Sequence, residues 1–202
     1  MAVFRPLICV LFAVVGVSMS IGSIGSIGAV AAAPSVRLKD ADSHVVDPFQ
    51  APANVQAIVF LFVSVDCPVS NRYAPLVKGL DETFAPKGVQ FWLVYPNPFD
   101  TPALIQQHRK AYSYPMGALL DPDHALAKLA KATITPEAAV FDRQGREVYH
   151  GRIDDKYVDL TRERPSATQH DLNDALTATL AGKPVAHAAT QAVGCYISDF
   201  VK

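Results

Sequence analysis

The stretch Ala57-Ile-Val-Phe-Leu-Phe-Val-Ser-Val65 is almost wholly apolar and runs straight into Asp66-Cys67-Pro68. Its length and β-branched content make it a strand buried on both faces. From Pro68 the period changes. Tyr73, Leu76, Val77, Leu80 and Phe84 recur every three to four residues, which places them on one helical face. Ala85-Pro86-Lys87-Gly88 stops that helix. A buried strand that passes directly into an amphipathic helix calls for a parallel neighbour reached by a crossover, and few folds meet that demand.

The rest of the chain supplies the neighbours. Val89-Gln-Phe-Trp-Leu-Val-Tyr95 is a second buried strand, and Pro96-Asn97-Pro98 is a turn. Thr101 is placed to cap a helix reaching to about Tyr112, with Pro102 in its first position. Gly117 to Asp121 is a short strand, and Pro122 opens a helix ending near Lys131. Glu137 to Phe141 and Arg146 to Gly151 form a hairpin across the turn Asp142-Arg143-Gln144-Gly145. Arg152 to Arg164 is a charged loop, and its cluster Arg152-Ile-Asp-Asp-Lys-Tyr157 either lines a partner site or, as expected, is solvated and held by local ion pairs. Thr168 is expected to cap a last helix from about Gln169 to Leu180, ended by Gly182. Val36 to Phe49 reads as a lead-in arm or small hairpin. The expectation is an α/β fold with a mixed central sheet and helices on both faces.

Residues 1–32 have the layout of a secretory signal peptide. Arg5 is the one charge before Arg37, Pro6 to Met19 is apolar, and Ala29-Val30-Ala31 and Val30-Ala31-Ala32 both offer small-residue cleavage sites. Leu7-Ile8-Cys9 lacks the small residue a lipidation site needs before its Cys. Export places the mature chain in the periplasm or outside the cell, with no stable membrane insertion after cleavage. The remaining residues suit a single domain over 35–182, with a tail over 183–202 that carries Cys195. Net charge is −1 with the signs interspersed, so nucleic acid is excluded as a partner. Oligomeric state is not readable from the residues.

After the leader, two cysteines remain, Cys67 and Cys195. That is too few for a disulfide scaffold and enough for one active pair. Cys67 at a helix head is suited to be a nucleophile, because unpaired N–H groups and the helix dipole favour its thiolate. Pro68 fixes the helix start behind it. A second position of interest is Thr135-Pro136, a proline at the first residue of a strand, where an X-Pro bond in the cis form makes a deliberate turn. The histidines at 44, 108, 124, 150, 170 and 187 show no close pair at metal-ligand spacing, so no metal is expected and none of them is assigned a catalytic role; His124 is a candidate cap.

These two features together resemble the thioredoxin-like redoxins. The strand ending in Cys67-Pro68 and the segment Thr135-Pro136-Glu-Ala-Ala-Val-Phe-Asp-Arg-Gln-Gly145 carry the likeness, which spans about residues 35–182. The exported TlpA/ResA-like thiol-disulfide oxidoreductases and the alkyl hydroperoxide reductase/thiol-specific antioxidant group are the most similar branches. The resemblance implies Cys67 as nucleophile, Thr135-Pro136 as the cis-proline loop facing its sulfur, and a thiol or disulfide of a protein, or a small oxidant, as partner, with no cofactor. Ser70 occupies the resolving position of the two-cysteine motif, where its hydroxyl donates to a thiolate but forms no disulfide. Asp66 stands where many members have Trp. Ser64 fits the peroxidase pattern three residues before the Cys, while Phe60 replaces that pattern's proline. The copper chaperones of this fold use Cys-x-x-x-Cys, which is absent here.

Cys195 is a candidate for the missing second thiol, and three states stay open for it: an active pair with Cys67, a static bridge, or no pairing. Glu137, next to the proline, either tunes the thiol or is a solvated strand-end carboxylate. The expected function is a thiol-disulfide oxidoreductase. The alternatives are a thiol peroxidase of the peroxiredoxin type and a non-catalytic binding or assembly module.

Overall fold

The computed structural model describes Met1, Val3 and residues 33–197. The expected leader over 1–32, with Cys9, lies outside the described residues but for those two positions.

Seven strands form one mixed sheet. They are β1 (Leu38–Asp40), β2 (Val45–Val46), β3 (Ala57–Phe62), β4 (Val89–Tyr95), β5 (Gly117–Leu120), β7 (Glu137–Asp142) and β8 (Glu147–Gly151), in the spatial order β2-β1-β5-β4-β3-β7-β8. The central strands β3, β4 and β5 run parallel, linked by helices α1 (Pro68–Phe84) and α2 (Pro102–Tyr112). The hairpin β7–β8 and the lead-in hairpin β1–β2 add antiparallel strands at the two sides. All of β3 is buried, which is why its sequence is a continuous apolar run rather than an alternating one. A separate two-stranded ribbon pairs β6 (Ile134–Thr135) with β9 (Cys195–Tyr196).

Two cores lie on opposite faces of the sheet. Val59 and Leu61 pack with Tyr73, Val77 and Leu80 of α1, Ile105 of α2 and Leu172 and Leu176 of α4 (Asp171–Leu180). Ile58, Phe60 and Phe62 pack on the other face with Leu126 of α3 (Ala125–Leu129) and with Phe49 of the lead-in arm. Phe49, Phe60 and Phe141 meet edge to face with ring centroids 5.1–5.6 Å apart. The sheet is therefore covered on both faces, as expected.

Four local readings need correction. Pro122 does not open a helix. His124 takes a left-handed conformation, φ 57°, so α3 starts only at Ala125. Its cap is the buried Asp121 carboxylate, which accepts Leu126 N–H at 3.2 Å and Ala127 N–H at 2.8 Å, while His124 Nε2 bonds the Pro96 carbonyl at 2.8 Å. Thr168 does not cap α4. Its hydroxyl and N–H both bond Asp155, each at 2.6 Å, and α4 begins at Asp171.

Nor is the first half of the loop after β8 a solvated one, whereas residues 160–163 are exposed. Ile153, Asp154, Asp155 and Tyr157 are buried, Tyr73 of α1 donates to Asp154 Oδ1 at 2.5 Å, and Arg152 pairs with Asp171 at 2.7 Å. The Thr168 hydroxyl, with backbone N–H groups and Arg164, holds the Asp155 carboxyl well below the usual carboxylate range. Finally, β3 ends at Phe62, so Val63 to Val65 belong to the loop that delivers Cys67.

Candidate functional site

Cys67 is the N-cap residue of α1, with Pro68 in the first turn. Only 2% of it is exposed. The Cys67 N–H donates to the Ser64 carbonyl at 3.3 Å, closing a tight turn between strand and helix. Across the sulfur lies the loop before β7, where Thr135-Pro136 is a cis peptide. The Cys67 thiol donates to the Thr135 carbonyl at 3.0 Å.

Glu137 sits behind this loop and is buried, contrary to the solvated reading. Its Oε2 accepts Thr133 N–H at 2.9 Å and Ile134 N–H at 3.2 Å, so it braces the turn rather than facing the sulfur. Burial pushes its carboxyl up against the pull of those two N–H groups.

The tail returns to the same place. In the β6–β9 ribbon, Thr135 is the partner of Cys195 and Ile134 of Tyr196. The Thr135 hydroxyl donates to the Cys195 carbonyl at 3.4 Å, and Ile197 N–H to the Thr133 carbonyl at 3.0 Å. Glycine is required at 194, because a Cβ there would stand 2.0 Å from the Thr135 carbonyl oxygen. Both thiols are free.

The two thiols differ in acidity for reasons visible in their surroundings. Burial pushes the Cys67 thiol up. Hydrogen bonds from the Cys195 thiol, from the Ser70 hydroxyl and N–H, and from Thr135 outweigh it and bring Cys67 below its ordinary value. Ser70 Oγ is buried and has no other partner among the described residues, which suits a donor reserved for the thiolate. Cys195 is pushed up to about 12, by burial first and then because its proton is shared with the Cys67 sulfur. Cys67 is thus the more acidic of the two thiols.

Three groups that sequence reasoning passed over hold the Cys67 turn. Asn71, in the first turns of α1, donates Nδ2–H to the Val65 carbonyl at 3.1 Å. Its Oδ1 faces His108 Nε2 at 2.7 Å, so that ring nitrogen carries the proton; Nδ1 then accepts from the Tyr95 hydroxyl at 2.9 Å. Asp100 lies buried in the turn after β4. Burial pushes its carboxyl up to about 6, with help from the Asp66 charge and against hydrogen bonds from Val65 N–H and the Ser64 hydroxyl. Nothing in the sequence marks Asp100 as more than a turn residue, because its partners come from another loop.

A cleft of about 330 Å³ opens above the sulfur, lined by Ser64, Asp66, Cys67, Phe99, Thr135 and Tyr196 among others. A larger groove of about 720 Å³, along Arg143, Arg146 and Lys183, includes neither cysteine, so the smaller cleft is the candidate site. Among the described residues no group of three or more His, Cys, Asp or Glu is arranged to hold a metal ion, and no helix is long and apolar enough to cross a membrane.

This geometry, a helix-head cysteine facing a cis-proline loop on a mixed sheet, defines a thioredoxin-like redoxin. Residues 30–150, more than half of the chain, match the AhpC/TSA family, and the chain belongs to it. An uncharacterised conserved protein from Geobacillus kaustophilus has a similar structure, with 28% identity, 82% of this chain and 89% of that one covered, and a TM-score of 0.72. So has a hypothetical protein from Sinorhizobium meliloti 1021, with 27% identity, 82% and 91% covered, and a TM-score of 0.70. A secreted disulfide oxidoreductase from Mycobacterium tuberculosis, homologous to E. coli DsbE, shares the fold at 15% identity, with 73% and 95% covered and a TM-score of 0.50. No curated protein sequence gives a significant match.

Proposed function

We propose that the chain is an exported thiol-disulfide oxidoreductase that cycles Cys67 and Cys195 between dithiol and disulfide. The observation that carries this reading is the seating of Cys195 opposite Thr135, in the same cleft as the Cys67 sulfur, whose pKa it lowers. The Cys67 thiolate attacks one sulfur of a partner disulfide, forms a mixed disulfide, and releases the other sulfur as a thiolate that takes up a proton. Cys195 then loses its proton and attacks Cys67, closing the Cys67–Cys195 disulfide and releasing the second partner thiol. The partner is reduced by two electrons and the pair oxidised by two; the reverse sequence oxidises a partner dithiol.

The acidity of Cys195 fits this order of events. Part of what holds its proton is the hydrogen bond to, and the charge of, Cys67. Both vanish once Cys67 is in the mixed disulfide, so the resolving thiol becomes easier to ionise at the step that needs it.

In this reading residues 35–182 are the redoxin body, 183–202 the arm carrying the resolving thiol, and 1–32 a cleaved leader. The secreted oxidoreductase of the same fold supports the export. A second reading, thiol peroxidase, is favoured by membership of the AhpC/TSA family and by Ser64 three residues before Cys67. It is weakened because Ser64 gives its hydroxyl to Asp100. The lowered pKa of Cys67 argues against a purely non-catalytic module.

The deciding experiment is mass spectrometry of the mature chain, alkylated before and after reduction. A reducible Cys67–Cys195 disulfide that forms on oxidation, absent in Cys195→Ser, is the expected result. Two thiols that stay free under oxidising conditions would reject the cycle.

A further inference from the structure

Cys67 is almost wholly enclosed, so what reaches its sulfur is set by two surfaces. One is the backbone edge of β6, whose Thr135 carbonyl lies 3.0 Å from the sulfur. An extended polypeptide presenting a disulfide here would gain its affinity by adding a strand to that edge. The edge is already filled. Strand β9 pairs with it in register, Gly194 lies against the Thr135 carbonyl, and Ile197, 3% exposed, anchors the strand in the core that also holds Phe60 and Phe62.

The other surface is the cleft itself. At about 330 Å³ it has the size of a small-ligand site. Its mouth carries Phe99, 80% exposed, and Tyr196, 69% exposed, with Pro96 and Ile197 adding apolar surface. Among the described residues its lining includes one carboxylate, Asp66, and no Lys, Arg or His, so an anionic ligand finds repulsion and no counter-charge there.

We infer that the disulfide which Cys67 attacks belongs to a small uncharged molecule held between Phe99 and Tyr196, and that β9 keeps polypeptide disulfides off the sulfur. This rests on the two-cysteine cycle proposed above. The balance is the same: the small molecule RSSR leaves as two RSH, and its two electrons come from Cys67 and Cys195. The tail thereby serves two purposes. It supplies the resolving thiol, and it occupies the strand position that a protein substrate would need.

The test uses the full-length mature protein, reduced, with oxidation followed by quenched alkylation and mass spectrometry. Four oxidants are compared: 2-hydroxyethyl disulfide, oxidised glutathione, insulin as a polypeptide disulfide, and cumene hydroperoxide. Each rate is divided by that of dithiothreitol with the same oxidant, which removes intrinsic reactivity. The wild type should prefer 2-hydroxyethyl disulfide to both glutathione disulfide and insulin by at least about 10-fold. Gly194→Val, which cannot seat β9, should raise the insulin rate relative to 2-hydroxyethyl disulfide by about 10-fold or more. Ile197→Ser, which removes the anchor, should shift that ratio in the same direction if the first variant does not fold.

An insulin ratio unchanged in both variants would overturn the inference and leave the cycle standing, since the Cys67–Cys195 disulfide would still form. A preference for glutathione disulfide would overturn the uncharged ligand. Oxidation by cumene hydroperoxide alone would overturn the disulfide substrate in favour of the peroxidase reading. No Cys67–Cys195 disulfide with any oxidant would overturn the cycle itself.

Discussion

Cys67 owes its acidity to donors supplied by three separate segments: Ser70 one turn into α1, Thr135 on the proline loop, and Cys195 on the tail. Removing the tail donor should therefore raise the Cys67 pKa. Cys195→Ala is expected to shift the alkylation-rate profile of Cys67 to higher pH, and Cys195→Ser, which keeps a hydroxyl donor, to shift it less. Identical profiles for wild type and Cys195→Ala would mean that the tail thiol does not touch the thiolate in solution. Asp100 supplies a second residue-scale prediction. Its carboxyl is pushed from 3.8 up to about 6 by burial, so the folded state binds a proton that the unfolded state has lost between those values. Its stabilising contribution is present below about pH 4 and disappears as pH rises through about 6, on the order of 3 kcal/mol in all. Asp100→Asn removes that dependence. Urea titrations across this range should show the variant gaining on the wild type as pH rises; a constant gap would contradict the buried, protonated carboxyl.

At the scale of elements, the head of α1 is tied to β4 and α2 through the chain Tyr95–His108–Asn71–Val65. Burial lowers the pKa of His108, so the folded state holds it neutral, and this part of the stability is lost as pH falls below about 6.5, opposite in sign to Asp100. His108→Phe fills the space but leaves the Tyr95 hydroxyl and the Asn71 carbonyl without their partner, at a cost of about 1–3 kcal/mol by urea titration. If it also frees the Val65 turn, the Cys67 alkylation profile moves with it; a stability change without any change at the thiol would confine the chain to a structural role. How far such elements can be read from sequence depends on where their determinants lie. The bounds of α1, β4 and α2 are legible because Pro68, the Gly88 stop at φ 87° and the Thr101 cap are local signals. Cys67 and Thr135-Pro136 are legible for the same reason. The start of α3, the true role of Thr168 and the burial of Glu137 are not, since each is decided by a carboxylate or backbone group that the fold brings from elsewhere. The two-residue strand β9 has no periodicity of its own, and its register exists only against β6.

Across the whole molecule, the proposed cycle would make the tail convert a redox change into a change of stability. With both thiols free, β9 is held by a short ribbon, one side chain in a core and the hydrogen bonds around Thr135. A Cys67–Cys195 disulfide would close nearly two thirds of the chain into one loop, from the head of α1 to the end of the described residues. In the chain-entropy view such a link removes unfolded conformations and stabilises the native state by about 2–4 kcal/mol, provided the native positions need little rearrangement. Here they need little, because the ribbon already brings both cysteines into one cleft. Oxidised protein is therefore expected to melt about 5–15 °C above reduced protein in calorimetry. Cys195→Ser should lose that difference while staying close to the reduced wild type. Such a difference would favour one direction of electron flow: a disulfide that stabilises the fold is stabilised by it in return, which makes the dithiol a better reductant and suits the reduction of an incoming disulfide. An oxidised form that melts below the reduced one would reverse this argument. It would mean that closing the pair strains the ribbon, and that the protein hands its disulfide on to partners.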